Sequence, residues 1–194
     1  MKLFYYPAAC SLADHIALIE TGLPYSLLSI DGEKRTQDGR DFLSINPKGY
    51  IPTLELEDGV FLTENQVILS YIAETSGKLL PRDGIARWRT FEALAFMSSE
   101  IHAHYQPFFR DFPELEKARA REKLAKAFDI LANQMGDKAF LIGDEMTIAD
   151  CYLFWVLMVA PKSGVELPDN LRKGFDRLRA RPSVVQAFAE EGLG

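Results

Sequence analysis

The sequence has few cysteines, and they do not form a scaffold. Only Cys10 and Cys151 occur among its 194 residues. Small secreted domains depend on several disulfides, whereas two thiols so far apart are typical of a protein kept in a reducing compartment. We therefore expect a cytoplasmic protein. No second cysteine lies two places after Cys10, so the usual dithiol chemistry is not expected.

Long runs of basic residues and long runs of apolar residues are also missing. No run of Lys or Arg exceeds two residues and the net charge is −6, so nucleic acid and anionic membranes are not expected partners. No apolar stretch reaches the about 18 residues of a membrane span. Tyr5, Tyr6 and Pro7 stand where a signal peptide would carry an uninterrupted apolar core.

Several catalytic motifs are absent as well. The sequence has neither a glycine-rich phosphate loop nor the serine-centred elbow of hydrolases. His102 and His104 are two residues apart on a predicted helix, so they do not share a face. We therefore expect a protein that uses no metal.

What the chain does contain is enough apolar sequence for a large core, since 47% of its residues are apolar and 26% are charged. Residues 1–77 show strand, helix, strand, short helix, hairpin and helix patterns in that order. Residues 78–84 are typical of a linker, and only helical patterns follow them. The sequence thus predicts an α/β domain over 1–77, a linker over 78–84 and an all-helical domain over 85–194.

Residues 46–74 are the stretch around which the first domain is organised. Residues 52–57 alternate between apolar and polar, as in a strand with one buried face. Asp58-Gly59 predicts a two-residue hairpin turn before a returning strand over 60–62. A helix follows, with its apolar positions at Val67, Ile68, Tyr71 and Ile72 and its candidate caps at Thr63, Glu64 and Asn65.

The start of that helix predicts a binding site. Its unpaired N–H groups and partial positive charge suit a carboxylate, and Glu64 beside them suits an ammonium group. Pro52 lacks a backbone donor, which favours a strand edge or a special turn. A cis bond there would leave the backbone of Ile51 free to pair with an extended peptide. An ordinary hairpin followed by a capped helix is the alternative.

Cys10 is the sharpest candidate for chemistry. It lies between a predicted strand over 2–6 and a helix that ends near Thr21, a position that favours the thiolate and predicts a pKa below about 8.5. The alternative is a small buried apolar residue. Ser11 is either the helix cap or a hydroxyl donor to a ligand thiolate. Cys151, within an apolar helix, is predicted to be structural.

The helical domain is predicted to begin with a helix over 85–105, whose large apolar face comprises Trp88, Phe91, Leu94, Ala95, Met97, Ser98 and Ile101. A charged helix follows over 114–135. Thr147 and Asp150 have the form of a capping box before a helix over 151–160 that is apolar all round and therefore buried. Two shorter helices are predicted over 171–179 and 183–190.

Four segments taken together resemble the glutathione S-transferases, and most closely their bacterial beta class. They are MKLFYYPAACSLADHIAL, INPKGYIPTLELEDGVFLTEN, SEIH with Pro107 beyond it, and FLIGDEMTIADCYLF. The four occur in order at the family's spacing and cover essentially the whole chain. The resemblance implies a thioredoxin-like first domain, a cis bond before Pro52, glutathione as cosubstrate, and a cytoplasmic homodimer that acts on small hydrophobic electrophiles in detoxification.

The resemblance also implies the site residues. The catalytic group would be Cys10, facing the glutathione sulfur, with Ser11 beside it and His102 near it from the helical side. Glutathione would be bound by Tyr5, Lys34, Arg35, Tyr50, Ile51, Pro52, Glu64 and Asn65. Either of the two basic residues in this set would neutralise the glycyl carboxylate. The electrophile would meet a wall made of Phe96, Ser99, Tyr105, Phe108 and Phe109.

Three departures from the family keep two hypotheses open. Asn65 stands where Ser or Gly is common, Ala103 where Lys often follows the histidine, and Ala95 where Asn often precedes it. The protein is either an enzyme that uses glutathione or a non-catalytic binding or regulatory protein of the same fold. Cys10 either donates a hydrogen bond to the glutathione thiolate or forms a mixed disulfide, and its predicted ionisation favours the mixed disulfide.

Overall fold

The computed structural model describes residues 1–57 and 59–193. Asp58, in the predicted hairpin turn, lies outside the described residues. The chain divides into two compact units. The first comprises Met1–Leu79 together with the segment from Pro182 onward, and the second comprises Leu80–Arg181. The domain limits drawn from the sequence stay a prediction.

Strands alternate with helices only in the first part of the chain. The elements there are β1 (Lys2–Tyr5), α1 (Ser11–Thr21), β2 (Ser26–Ser29), α2 (Phe42–Ile45), β3 (Thr53–Glu55), β4 (Phe61–Thr63) and α3 (Asn65–Ser76). Helical segments follow: α4 (Gly84–Phe96), a π-helical turn (Met97–Ile101), a 3-10 turn (His102–Tyr105), α5 (Gln106–Phe109), α6 (Glu114–Met135), α7 (Ile148–Ser163), α8 (Asp169–Arg179) and α9 (Pro182–Glu191). The predicted fold class, an α/β part followed by an all-helical part, is confirmed.

The sheet of the first unit has the strand order β2-β1-β3-β4. Strand β1 runs parallel to β2 and antiparallel to β3, which pairs antiparallel with β4. The register places Leu3 between Leu27 and Leu54, and Leu3 and Leu54 are fully buried. Phe4 and Thr53, the next residues along the two strands, are fully buried as well, so both faces of the central strands are covered.

Helix α9 belongs to the first unit because it is fastened to α1 by a buried histidine. The Nδ1 of His15 lies 3.0 Å from Oε1 of Glu191, and its Nε2 lies 2.8 Å from Oε2 of Glu190. The second carboxylate oxygen of Glu191 accepts the backbone N–H of Ala8 at 3.0 Å. The last helix thus holds the loop that leads into α1.

Helix α7 forms the centre of the second unit, and nearly all of its residues are buried. It begins with the predicted capping box, in which the Thr147 hydroxyl accepts the N–H of Ala149 and the Asp150 carboxylate accepts the N–H of Thr147 at 2.8 Å. Cys151 is fully buried in this helix, in line with a structural role. None of the helices in the described part of the chain is long and apolar enough to cross a membrane.

Two predicted apolar faces differ from those in the structure. On α4, Trp88 is 66% exposed and Ala95 is also exposed, whereas Thr90 and Ala93 are buried. The buried positions Thr90, Ala93, Leu94, Met97 and Ile101 follow ordinary helical spacing, and Trp88 and Ala95 lie on the other side of the helix. On α3, the helix begins only at Asn65 and turns Val67 outward.

Candidate functional site

Cys10 is the N-cap residue of α1 and is only 8% exposed. Its Sγ donates a hydrogen bond to the carbonyl oxygen of Ile51 at 3.5 Å. The register that pairs Phe4 with Thr53 brings the end of β1 to the start of β3. Two loops that are distant in sequence therefore meet at the thiol.

The ionisation of Cys10 differs from the prediction. Burial, together with the nearby carboxyl group of Asp14, raises the pKa of the thiol to about 12, although Asn65 and the backbone amides at the start of α1 act in the opposite direction. The predicted pKa below about 8.5 was wrong, because loss of solvation outweighs the favourable field of the helix N-terminus. Cys10 is a neutral hydrogen-bond donor in this structure.

Four polar side-chain atoms near the start of α1 are buried without a hydrogen-bond partner among the described residues: Oγ of Ser11, both carboxyl oxygens of Asp14, and Oδ1 of Asn65. The other end of the Asn65 amide is used, since its Nδ2 donates to the Cys10 carbonyl at 2.9 Å. Ser11 is the first residue inside the helix, and the cap position belongs to Cys10. Of the two roles predicted for Ser11, the structure therefore rejects the cap.

The loop before β3 is held by a buried amide that the sequence analysis passed over. The Nδ2 of Asn46 donates to the Tyr50 carbonyl at 2.7 Å and to the Thr53 hydroxyl at 3.1 Å. The bond between Ile51 and Pro52 is cis, as the resemblance implied. Tyr50 itself is 67% exposed. This loop presents the Ile51 carbonyl to Cys10.

Glu64 lies at the N-terminus of α3 with an unusual backbone conformation. Its φ is +75°, a region that residues other than glycine rarely adopt. Its exposed carboxylate is 2.7 Å from Nζ of Lys48, which also donates to the Thr63 hydroxyl at 3.0 Å. Strained backbone of this kind, which costs about 1–3 kcal/mol, is concentrated at functional sites. The predicted acid is therefore present, with a lysine partner that was not foreseen.

Lys34 and Arg35 have different surroundings. The Nζ of Lys34 donates to the Gly49 carbonyl at 2.8 Å, two residues before Ile51. Arg35 lines an open groove together with Tyr6. The structure thus places the Lys34 ammonium group, and not the Arg35 guanidinium, beside the loop that leads to β3.

Tyr5 is half-buried at the end of β1, on the strand that leads to Cys10. Burial raises the pKa of its phenol, and the carboxylates of Glu191 and Glu190 add to this effect. Tyr6, the next residue, is exposed. Of the two tyrosines, Tyr5 is therefore the less exposed.

His102 belongs to the second unit and begins the 3-10 turn. Its Nδ1 lies 2.6 Å from the Tyr152 hydroxyl, and its ring lies 4.4 Å from that of Trp155, centroid to centroid. Burial lowers the pKa of the imidazole to about 4, so His102 is neutral near pH 7. The role predicted for it near the glutathione sulfur stays a prediction.

Tyr105 does not belong to a binding wall. It is fully buried, and its hydroxyl donates to the Val156 carbonyl at 2.5 Å, so it is part of the core of the second unit. Phe96 is half-buried and Ser99 is exposed. The resemblance implied a place for Tyr105 in the electrophile wall, whereas its ring is enclosed by the core of the second unit.

Two aromatic side chains after this turn remain candidates. Phe108 is half-buried with the Arg121 guanidinium 5.5 Å from its ring centre, and Phe109 is half exposed with Nζ of Lys162 at 4.7 Å. Within residues 1–57 and 59–193, no cluster of His, Cys, Asp or Glu side chains could hold a metal ion.

Comparison with known proteins identifies the family. The profile described as "Glutathione S-transferase, N-terminal domain" matches residues 9–75, and "Glutathione S-transferase, C-terminal domain" matches residues 96–182. The chain is 40% identical to Glutathione S-transferase GstA of Escherichia coli O157:H7, and the match covers 100% of both proteins.

Two solved structures agree with this match. A bacterial beta class glutathione S-transferase from Sphingomonas chungbukensis has a TM-score of 0.93 at 38% identity. A sphingomonad glutathione S-transferase complexed with glutathione has a TM-score of 0.93 at 36% identity. Each match covers 100% of both chains. The chain therefore belongs to the glutathione S-transferase family, and the predicted family and transferase class are confirmed.

Proposed function

We propose that the protein is a glutathione transferase that uses the thiol of glutathione as a nucleophile or reductant toward small hydrophobic electrophiles or mixed disulfides. The observation that carries this proposal is the place where Cys10, Ile51 and Asn65 meet, because it combines a thiol donor, an accessible backbone turn and two helix N-termini. Full-length similarity to GstA and to a glutathione-bound relative supports it.

Each part of glutathione has a matching group in the first unit. The backbone of Ile51 pairs with the extended tripeptide, and Glu64 receives the ammonium group of the γ-glutamyl end. The N–H groups at the start of α3 receive the carboxylate of that same end. Lys34 is the better of the two candidates for the glycyl carboxylate, since its Nζ already lies at Gly49. Bound in this way, the peptide places its sulfur near Cys10.

Cys10 acts on the glutathione sulfur as a neutral donor. Two adjacent thiolates repel each other, so only one of the two sulfurs is ionised. With its own pKa raised to about 12, Cys10 keeps its single thiol proton. In the structure without glutathione this proton is donated to the Ile51 carbonyl, and in the complex the thiol turns to donate it to the glutathione thiolate instead. This reverses the earlier preference for a mixed disulfide, because the ionisation on which that preference depended is not favoured in the buried site.

The remaining roles are divided between the two parts of the chain. Residues 1–77 bind glutathione, residues 78–84 connect, and residues 85–194 supply the electrophile site, with Phe108 and Phe109 as its best candidates. A homodimer is supported by two exposed apolar side chains three residues apart on α4, Ile85 and Trp88, which are 71% and 66% exposed. A cytoplasmic role in detoxification fits this activity.

The proposal is tested by glutathione-dependent conjugation to a panel of electrophiles, including an aryl halide, alongside direct measurement of glutathione binding. We expect turnover on at least one electrophile, and weaker glutathione binding in Glu64→Gln. Tight binding without turnover on any electrophile or mixed disulfide would favour the non-catalytic alternative, to which Ala95 and Ala103 point. Failure to bind glutathione at all would overturn both.

A further inference from the structure

Asp14 is a buried carboxyl group for which the proposed function has no use. It is fully buried on α1, and neither of its carboxyl oxygens accepts a hydrogen bond from any other residue that the structure describes. Such a group is costly to keep in a protein interior, because an unpaired carboxyl loses its solvation without compensation. A buried titratable group without a structural partner is a candidate for a functional role.

The position of Asp14 directs it toward Cys10. The two residues are four apart, at the N-cap and in the first turn of α1, so they lie on one side of the helix. Helical side chains lean toward the helix N-terminus, which carries the Asp14 carboxyl toward the turn that contains Cys10 and Ser11. The negative charge of Asp14 raises the pKa of the Cys10 thiol, second only to burial.

We propose that Asp14 is a positioning residue that keeps the Cys10 thiol protonated, so that Cys10 serves as a hydrogen-bond donor and not as a nucleophile. The two groups exchange protons with solvent as a coupled pair. Once one of them has lost its proton, the charge that it carries opposes ionisation of the other. This deepens the proposed function, on which it rests, by explaining why a cysteine can stand at a helix N-terminus without becoming the attacking sulfur.

The other charged groups around α1 are engaged elsewhere. His15 faces α9 and binds Glu190 and Glu191 through its two ring nitrogens. Tyr5 of β1 is influenced by the same two carboxylates. On α3, Glu74 is exposed to solvent. Asp14 is therefore the charge that controls Cys10.

The test is the titration of Cys10 in the full-length protein without glutathione or electrophile. Thiolate formation is followed by ultraviolet absorbance as a difference from the matching Cys10→Ala protein, which cancels the signals of Cys151 and the tyrosines. Wild type is compared with Asp14→Asn and, as a second variant, Asp14→Leu. Neither substitution removes a hydrogen bond to another described residue, so both are expected to fold. Glu20→Gln removes the same charge from the same helix, ten residues from Cys10, and serves as the control.

We expect the Asp14 variants to lower the titration midpoint by about one pH unit or more, which is about tenfold more thiolate at a given lower pH. Alkylation of Cys10 by iodoacetamide should rise in parallel, and Glu20→Gln should titrate like the wild type. A midpoint that stays in place or rises in both Asp14 variants overturns the proposal. Because glutathione is absent, such a result leaves the proposed transferase function to be judged by its own assay.

Discussion

Two aspartates, each near the start of a buried helix, differ in the hydrogen bonds that their carboxyl groups accept. One belongs to the second unit and the other to the first. Asp150 of α7 accepts the backbone N–H groups of Leu141 and Thr147, both at 2.8 Å, and the Thr147 hydroxyl at 3.1 Å. Asp14 of α1 accepts no hydrogen bond from the described residues. The first carboxyl fastens a loop to a helix. The second forms no such link, and its negative charge raises the pKa of the neighbouring Cys10 thiol.

The contrast extends beyond these two residues. Six buried side-chain atoms of the described residues lack a hydrogen bond, and all six belong to the first unit. Four of them belong to Ser11, Asp14 and Asn65 around the start of α1, and the other two belong to Arg40 and Glu55, which form ion pairs. In the second unit the buried hydroxyls of Thr90 and Ser163 bond to backbone carbonyls. Proteins normally satisfy their buried polar groups, so a local concentration of exceptions marks a site that a ligand completes or uses. The helical unit is built for stability, and the start of α1 is built for chemistry.

The largest difference between the two aspartates is expected in stability, when each carboxyl group is removed in turn. Asp150→Ala leaves two buried N–H groups and a hydroxyl without their acceptor, and we expect the free energy of unfolding to fall by about 3–5 kcal/mol. Asp14→Ala removes no bond and is expected to leave stability unchanged or higher near pH 7. Urea denaturation of both variants gives the answer. If the two variants were destabilised equally, the proposed difference between Asp150 and Asp14 would be wrong.

The pH dependence of stability separates His102 from Asp14. Burial lowers the pKa of His102 from its ordinary value near 6.5 to about 4, so between these values the unfolded chain binds more protons. The contribution of His102 to stability is thus complete above about pH 6.5 and is lost toward pH 4, at most about 3 kcal/mol. Urea denaturation at several pH values should show this loss in wild type, and a smaller one in His102→Phe. His104→Phe is the control, and a loss of equal size in all three proteins would contradict the assignment.

Asp14 should show the opposite slope. Burial raises the pKa of its carboxyl well above the ordinary value, so the folded state binds the extra proton. The stability that this proton preserves is present at acidic pH and is lost as the pH rises toward the raised pKa. Asp14→Asn should remove this decline, which the same denaturation series will measure. A wild-type profile that rises over this range, with no change in Asp14→Asn, would be inconsistent with a buried unpaired carboxyl.

Glu64 offers a smaller effect that concerns binding alone. Its carboxylate is exposed and pairs with Lys48 on the surface, so Glu64→Gln is expected to change stability by less than about 0.5 kcal/mol. Loss of the charge opposite the ligand ammonium should weaken glutathione binding by about tenfold. Calorimetric titration measures both the wild type and the variant, with Glu57→Gln as a surface control. Unchanged affinity in Glu64→Gln would remove it from the site.

The smallest expected effect is that of Cys10→Ala on conjugation. The variant loses one neutral hydrogen-bond donor, and we expect the rate of conjugation to an aryl halide to fall by less than about tenfold. Ser11 and backbone donors can still hold the glutathione thiolate. Thiol–disulfide exchange, if the protein catalyses it through Cys10, should collapse in the same variant. Steady-state rates in the two assays distinguish the roles, and a loss of conjugation by several orders of magnitude would contradict the assignment of Cys10 as one donor among several.

The order of strands and helices could be predicted because it follows from local sequence patterns. The strand pattern within residues 52–57, the helix end near Thr21, and the capping box of Thr147 and Asp150 each have a structural counterpart, the first in the shorter strand β3. Trp88 and Tyr105 were misplaced, because apolar residues occupy more than one side of this stretch and only tertiary packing decides which of them are buried. A π-helical turn also interrupts the stretch at Met97, and nothing in the preceding sequence indicates it.

The ionisation of the site could not be predicted for a different reason. A helix N-terminus is visible in the sequence, but the burial of Cys10 depends on packing that only the folded chain supplies. The same holds for Glu191, which reaches Ala8 across 183 residues, and for Lys48, which meets Glu64 across the hairpin. Local signals locate the candidate site, whereas its electrostatics come from long-range contacts.

The account depends most on one point: a neutral Cys10 donates a hydrogen bond to the thiolate of bound glutathione. The most direct test is to titrate the thiol of glutathione in its complex with the protein. Ultraviolet difference spectra of the complex should show that the bound thiol ionises at a lower pH than free glutathione, while Cys10 stays protonated. Cys10→Ala should move this midpoint back toward that of free glutathione. A bound thiol that titrates like free glutathione, or a Cys10 that ionises first, would contradict the account.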